Sequence, residues 1–87
     1  MPHNPPLSYR DVVRILKNLG FTPARHASGS HETWKLYRTD RWYSVTVYFH
    51  GGQNFQFPPK TLKSMIEQSG FSPDEFYSAR KKKIIKT

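Results

Sequence analysis

The residues of this 87-residue chain best suited to chemistry are the run Gly29-Ser30-His31 and the polar side chains that could gather around it. Histidine changes charge near working pH, with an unperturbed pKa of about 6.5, so His31 could pass a proton to or from a substrate. Gly29 lets a phosphate approach the backbone closely, and Ser30 adds a hydroxyl beside the backbone N–H donors. The same triplet also fits a rim histidine with no catalytic duty. His26, Tyr48 and His50 are auxiliary candidates for the same neighbourhood, with a solvated strand position for His26 and loop anchoring for His50 as the plainer readings. The absence of cysteine excludes a thiolate nucleophile, a disulfide framework and a cysteine zinc site. No spacing of histidines and carboxylates forms a recognisable ligand set, and Glu32 and Asp40 are poor metal ligands, so no metal or other cofactor is expected.

Charge narrows the partner. Lys plus Arg total 14 against six acids, a formal net charge of +8, which favours a polyanionic partner: RNA, DNA, an acidic protein or a membrane surface. Arg80, Lys81, Lys82, Lys83 and Lys86 crowd the last eight residues, leaving nine basic against six acidic residues in 1–79. Residues 1–79 therefore read as one domain and 80–87 as a basic tail, either a nucleic-acid arm or a solvated terminus. The chain is 36% hydrophobic and 15% aromatic, so a few large rings must supply much of the core. No apolar run approaches the roughly 20 residues of a membrane span. The first residues lack the pattern of a signal peptide, so a cytoplasmic location and no membrane partner are expected.

The elements that must position these groups follow from periodicity. Pro5-Pro6 interrupt regular structure, and Ser8 with Asp11 three residues on forms a capping-box signal. Val12, Ile15, Leu16 and Leu19 then recur on one helical face, Gly20 closes the helix, and Arg10, Arg14 and Lys17 gather on the other side. That basic side is either a solvated face or a contact for phosphates or an acidic partner. Stretches 21–27, 31–37 and 42–49 have strand character, with hairpin tips at Ser28-Gly29 and Thr39-Asp40. A tip at Thr39-Asp40 places Trp34 opposite Val45, Leu36 opposite Tyr43 and Tyr48 opposite His31, and a one-residue slip would destroy that apolar match. In this register His31, His26 and Tyr48 share the face turned away from the helices, His50 lies diagonal to His31, and Arg25 and Lys35 lie on or beside that surface. Pro58-Pro59 precede a second helix with Leu62, Met65 and Ile66 as its stripe and Gly70 as its stop. Ser72-Pro73-Asp74-Glu75 starts a short third helix that carries Phe76 inward.

The order α-β-β-β-α predicts an α+β fold, a three-stranded antiparallel sheet with helices on one face, as in the double-stranded-RNA-binding domain. The sequence Ser8-Tyr9-Arg10-Asp11-Val12-Val13-Arg14-Ile15-Leu16, then Leu19-Gly20-Phe21, then Gly29-Ser30-His31 with Trp34, resembles the HicA toxins. The resemblance continues through Val45-Thr46-Val47, His50, Lys60-Thr61-Leu62-Lys63-Ser64-Met65-Ile66, Ser69-Gly70-Phe71-Ser72 and Glu75-Phe76. It implies the toxic half of a type II toxin–antitoxin pair, a ribonuclease that cleaves mRNA with the histidine matching His31. It also implies a cognate HicB-type antitoxin that holds the enzyme inactive. Family members often carry a basic residue directly before the glycine, where this chain has Ser28.

The chemistry agrees with that expectation. RNA supplies its own nucleophile, the 2′-OH, so cleavage needs only proton transfer and stabilisation of phosphate charge, tasks for histidine and for lysine or arginine. Gly29, Ser30, Arg25, Lys35, Lys60 and Lys63 are the expected RNA-binding residues around a catalytic His31. The alternative is a non-catalytic RNA-binding module of the double-stranded-RNA-binding type, in which Lys60, Lys63 and the first-helix basics contact phosphates. Such modules carry denser lysine at the second helix and have no need of Gly29-Ser30-His31. A pure protein-interaction domain would explain the charge but leave His31 idle.

Overall fold

The first helix, α1, runs Tyr9–Leu19 in a computed structural model that describes residues 6–24, 31–48 and 55–81. The Asp11 N–H donates to Ser8 Oγ at 3.2 Å, and the Ser8 N–H donates to the Asp11 carboxylate at 3.1 Å. Two amides that the first helical turn would leave open are thus satisfied reciprocally. Gly20 ends the helix at φ 102°, in the left-handed region that glycine occupies without a Cβ penalty. Val12, Ile15, Leu16 and Leu19 are buried and Arg10, Arg14 and Lys17 exposed, as the periodicity requires.

Three antiparallel strands follow in the order β1-β2-β3: β1 at Thr22–Pro23, β2 at His31–Arg38 and β3 at Arg41–Tyr48. Thr39 and Asp40 join β2 to β3 with φ of 53° and 60°, the two left-handed residues that a tight hairpin turn matched to strand twist demands. Trp34 pairs with Val45, Leu36 with Tyr43 and His31 with Tyr48, the register that the tip predicts. Of the expected stretch 21–27 the strand itself takes Thr22–Pro23, Ala24 N–H still donates to Thr33 O, and residues 25–27 lie outside the described residues. Phe21 leaves the sheet plane to enter the core, and Pro23, which has no N–H to donate, stands where only an edge strand tolerates it. At the opposite edge the Thr46 N–H donates to the Gln68 side-chain oxygen at 3.0 Å.

Gln68 belongs to α2, Pro59–Ser69, whose buried Leu62, Met65 and Ile66 face the sheet. Pro59 opens α2 at the position where a missing N–H costs nothing. A second capping box, Ser72 with Glu75, starts α3, Pro73–Ser78, and Phe76 is fully buried. The Ser72 N–H bonded to the Glu75 carboxylate holds that carboxyl below its usual range, helped by the Arg38 charge. The helices supply most of one core, to which the sheet contributes Trp34, Val45 and Val47. The α+β, double-stranded-RNA-binding-like arrangement is the one expected.

Two core residues gave no periodic signal. Leu7 is fully buried and Phe57 nearly so, because the segments leading into α1 and α2 pair with each other. Phe57 N–H donates to Leu7 O at 3.0 Å, and Tyr9 N–H to Phe55 O at 2.9 Å.

The hairpin tip is tied to the α2–α3 turn by Arg38. Its guanidinium lies 4.0 Å from the centroid of Phe71 and 5.2 Å from that of Tyr43, while Nη2 donates to Gly70 O at 2.9 Å. Gly70 must be glycine on two counts: its φ is 77°, and a Cβ there would run into the Tyr43 ring. Gly70→Ala should therefore destabilise the chain by about 2–3 kcal/mol, combining backbone strain with overpacking. The measurement is a urea titration, in which the midpoint should fall with the slope unchanged.

Candidate active site

His31 is the first residue of β2, and strand alternation turns it to the open face of the sheet while its neighbour Glu32 points to the helices. The His31 ring is exposed and stands edge-on to its cross-strand partner Tyr48, with centroids 4.5 Å apart and planes at 86°. That contact restricts the ring without burying it, which leaves imidazole nitrogens accessible to a substrate. Lys35 stands on the same face, exposed, four residues along β2, about 13 Å from His31 at strand spacing. The structure thus brings His31, Tyr48 and Lys35 to one surface.

Other expected site residues fall elsewhere. Lys60 and Lys63 are exposed on α2, in the helical layer, so they do not meet His31 on the open sheet face. Arg25, His26, Ser28, Gly29, Ser30 and His50 lie outside the described residues, as does the tail from Lys82 onward. Arg80 and Lys81 remain hydrogen-bonded to α3 through their backbone amides. They line an open cleft with Arg14 and Asn18 of α1, which extends the basic face of Arg10, Arg14 and Lys17. Arg80 Nε approaches Asp11 Oδ1 at 3.6 Å, and the Asn18 side-chain amide donates to Ala79 O at 2.7 Å, so the cleft is fixed to α1. Among the described residues no three His, Asp or Glu side chains gather as a metal site would need, and no helix is long and apolar enough to cross a membrane.

Glu32 gave no signal of a site role in the sequence, yet it ties the two layers together beside His31. Its carboxylate accepts from Tyr9 Oη at 2.6 Å and from Trp34 Nε1 at 3.3 Å, joining the end of β2 that carries His31 to the start of α1. A carboxylate on the apolar face of a strand is itself a signal that a partner is required, because an unpaired buried charge is costly. Burial, followed by the hydrogen bond to Glu32 and its negative charge, raises the Tyr9 phenol above its usual range.

A family model described as HicA toxin of bacterial toxin-antitoxin matches residues 9–71, from the first residue of α1 to the turn after α2. Neither the curated proteins nor the solved structures compared with the chain gave a significant match.

The Tyr9–Glu32 bond has a testable pH signature. Its stabilisation is complete below the ordinary phenol pKa of about 10 and is lost as pH rises through the higher folded-state value, since only the unfolded chain ionises readily there. Tyr9→Phe should cost about 1–2 kcal/mol at neutral pH, as for a hydrogen bond to a charged group. Melting temperatures recorded from neutral pH to beyond pH 10 should converge for the two proteins at the alkaline end.

Proposed function

The chain belongs to the HicA family of toxins from bacterial toxin–antitoxin systems, and from that membership we propose that it is a metal-independent endoribonuclease that cleaves mRNA through His31. The observation that carries the reading is the placement of His31: exposed, braced by Tyr48 and turned to the open face of a fold whose core lies on the other side.

In this mechanism the ribose 2′-oxygen attacks the adjacent phosphorus, the P–O5′ bond breaks, and the chain ends as a 2′,3′-cyclic phosphate. One proton leaves the 2′-OH and one joins the departing 5′-oxygen. His31 handles one of these transfers, as general base or general acid, and tasks of this kind contribute roughly 10²–10⁴ in rate. Lys35 supplies positive charge along the same face, where it neutralises phosphate. Gly29 and Ser30, which directly precede His31 in the sequence, and Arg25 serve as further RNA-binding residues. Lys60 and Lys63 serve as phosphate contacts from the helical layer, and His26 and His50 as auxiliary groups. A HicB-type antitoxin silences the enzyme by covering the basic, His31-bearing surface, and complementary acidic charge speeds that encounter more than it sets affinity. Both partners place the activity in the cytoplasm.

His31→Ala tests the central assignment. Its side chain is outside the core, so the variant should stay within about 0.5 kcal/mol of wild-type stability while losing growth arrest and RNA decay. A folded variant that degrades RNA at the wild-type rate would show that His31 is not the catalytic residue.

Product chemistry tests the nucleophile. Cleavage should persist in EDTA and leave a cyclic phosphate or its hydrolysis product, while RNA methylated at the 2′-oxygen should resist. Strict dependence on added Mg²⁺ would refute the mechanism.

The basic tail tests the charge assignment. Removing 82–87 takes away Lys82, Lys83 and Lys86, and each lost phosphate contact flattens the salt dependence of single-strand binding by about 0.7. RNA affinity should fall, with a shallower slope, while antitoxin affinity stays near the wild-type value.

A further inference from the structure

The open face of the sheet carries more than His31. At the hairpin end, Tyr37 and Trp42 form a cross-strand pair with centroids 5.2 Å apart and planes at 63°. They are 54% and 64% exposed, the two most exposed large hydrophobic side chains among the described residues, and both point away from the core. The pair lies six residues along β2 from His31, about 20 Å at strand spacing. Between the two ends the face is polar: the pairs Thr33–Thr46 and Lys35–Ser44 fill it. None of the outward-facing residues of β2 and β3 is acidic.

We propose that this face is a stacking platform for single-stranded RNA, on which Tyr37 and Trp42 hold a base at the far end of a track whose near end is the phosphodiester at His31. The proposal rests on the ribonuclease reading and adds to it a second binding point remote from the reacting atoms. Aromatic side chains on an open sheet accept unpaired bases whatever their sequence, and a lysine between them meets the connecting phosphates. Duplex RNA does not fit, since its bases are already stacked and its helix is read through phosphates and 2′-hydroxyls. A protein interface fits less well, because binding hot spots cluster at the centre of a patch and are ringed by weaker contacts. Here the rings stand at the two ends and the centre is Lys35 with small hydroxyl side chains. The remote stacking point also anchors the substrate, so that the chain segment between the two ends presents its phosphate to His31 in one direction.

The chain has two tryptophans, and the other, Trp34, is buried at 4% exposure, so a change in tryptophan emission on adding RNA reports on Trp42. The experiment uses the full chain carrying His31→Ala, which leaves RNA intact. The probe is a fluorescein-labelled single-stranded RNA of about 12 nucleotides, free or annealed to its complement. Single-stranded RNA should quench the tryptophan emission. Adding Trp42→Ala should abolish the quench and weaken single-strand binding by about tenfold or more, with duplex binding and melting temperature unchanged. Trp42→Phe should lose the quench yet keep most of the affinity. Unchanged single-strand affinity in Trp42→Ala would overturn the platform, as would an equal loss for single strand and duplex. Loss of antitoxin binding with RNA binding intact would overturn it too, and would make the face a protein-docking surface. Cleavage by the His31→Ala chain would remove the assignment of catalysis to His31 alone, because the platform is read by binding.

Discussion

Which side of the sheet His31 occupies depends on the register of one hairpin. Thr39 and Asp40 both adopt positive φ, and this two-residue turn pairs Arg38 with Arg41 and, seven residues further on, His31 with Tyr48. A β-branched residue in the left-handed region is disfavoured by about 1–2 kcal/mol, so Thr39 is not in place for local comfort. The opposing term is larger. A one-residue slip of β2 against β3 would turn Trp34 and Leu36 to water, and a fully buried side chain of that kind gains roughly 1.5–3 kcal/mol from burial. The same slip would drive His31 inward and Glu32 outward, breaking the bond to Tyr9. Core packing and the placement of His31 on the open face therefore rest on one alignment.

Much of this was legible because it is local or periodic. Ser8 with Asp11 and Ser72 with Glu75 announce helix starts by residue type at fixed spacing, and the side chains close as capping boxes. The hairpin register follows from matching apolar residues about Thr39-Asp40. What escaped is non-local. Leu7 and Phe57 meet across some 50 residues of chain, and prolines on both sides of their pairing segments suppress any period that would reveal it. Tyr9 reaches Glu32 across 23 residues. Spacing along the chain could not separate Lys35 from Lys60 and Lys63, since all three are basic and exposed. Only the two-layer arrangement sets them on different sides.

The distribution of acids explains how a modest excess of basic residues becomes a usable field. Asp11 is engaged by Ser8 and Arg80, Glu32 by Tyr9 and Trp34, and Glu75 by Ser72. Half of the six carboxylates thus serve the fold. The open sheet face keeps Lys35, and the solvent side of α1 keeps Arg10, Arg14 and Lys17, with Lys81 beside them. Positive charge left in this way draws polyanions at long range and weakens with ionic strength.

The short β1 with Pro23 and the Gln68 side chain on the Thr46 amide have a consequence for assembly. Open strand edges invite a further strand from another chain, which leads to domain swapping or aggregation. Among the described residues one edge includes Pro23, which has no N–H, and at the other a side chain from α2 already occupies one of the amides that an incoming strand would use. Both features blunt the edges of the sheet, at Pro23 and at the Thr46 amide, against pairing with a strand of another chain.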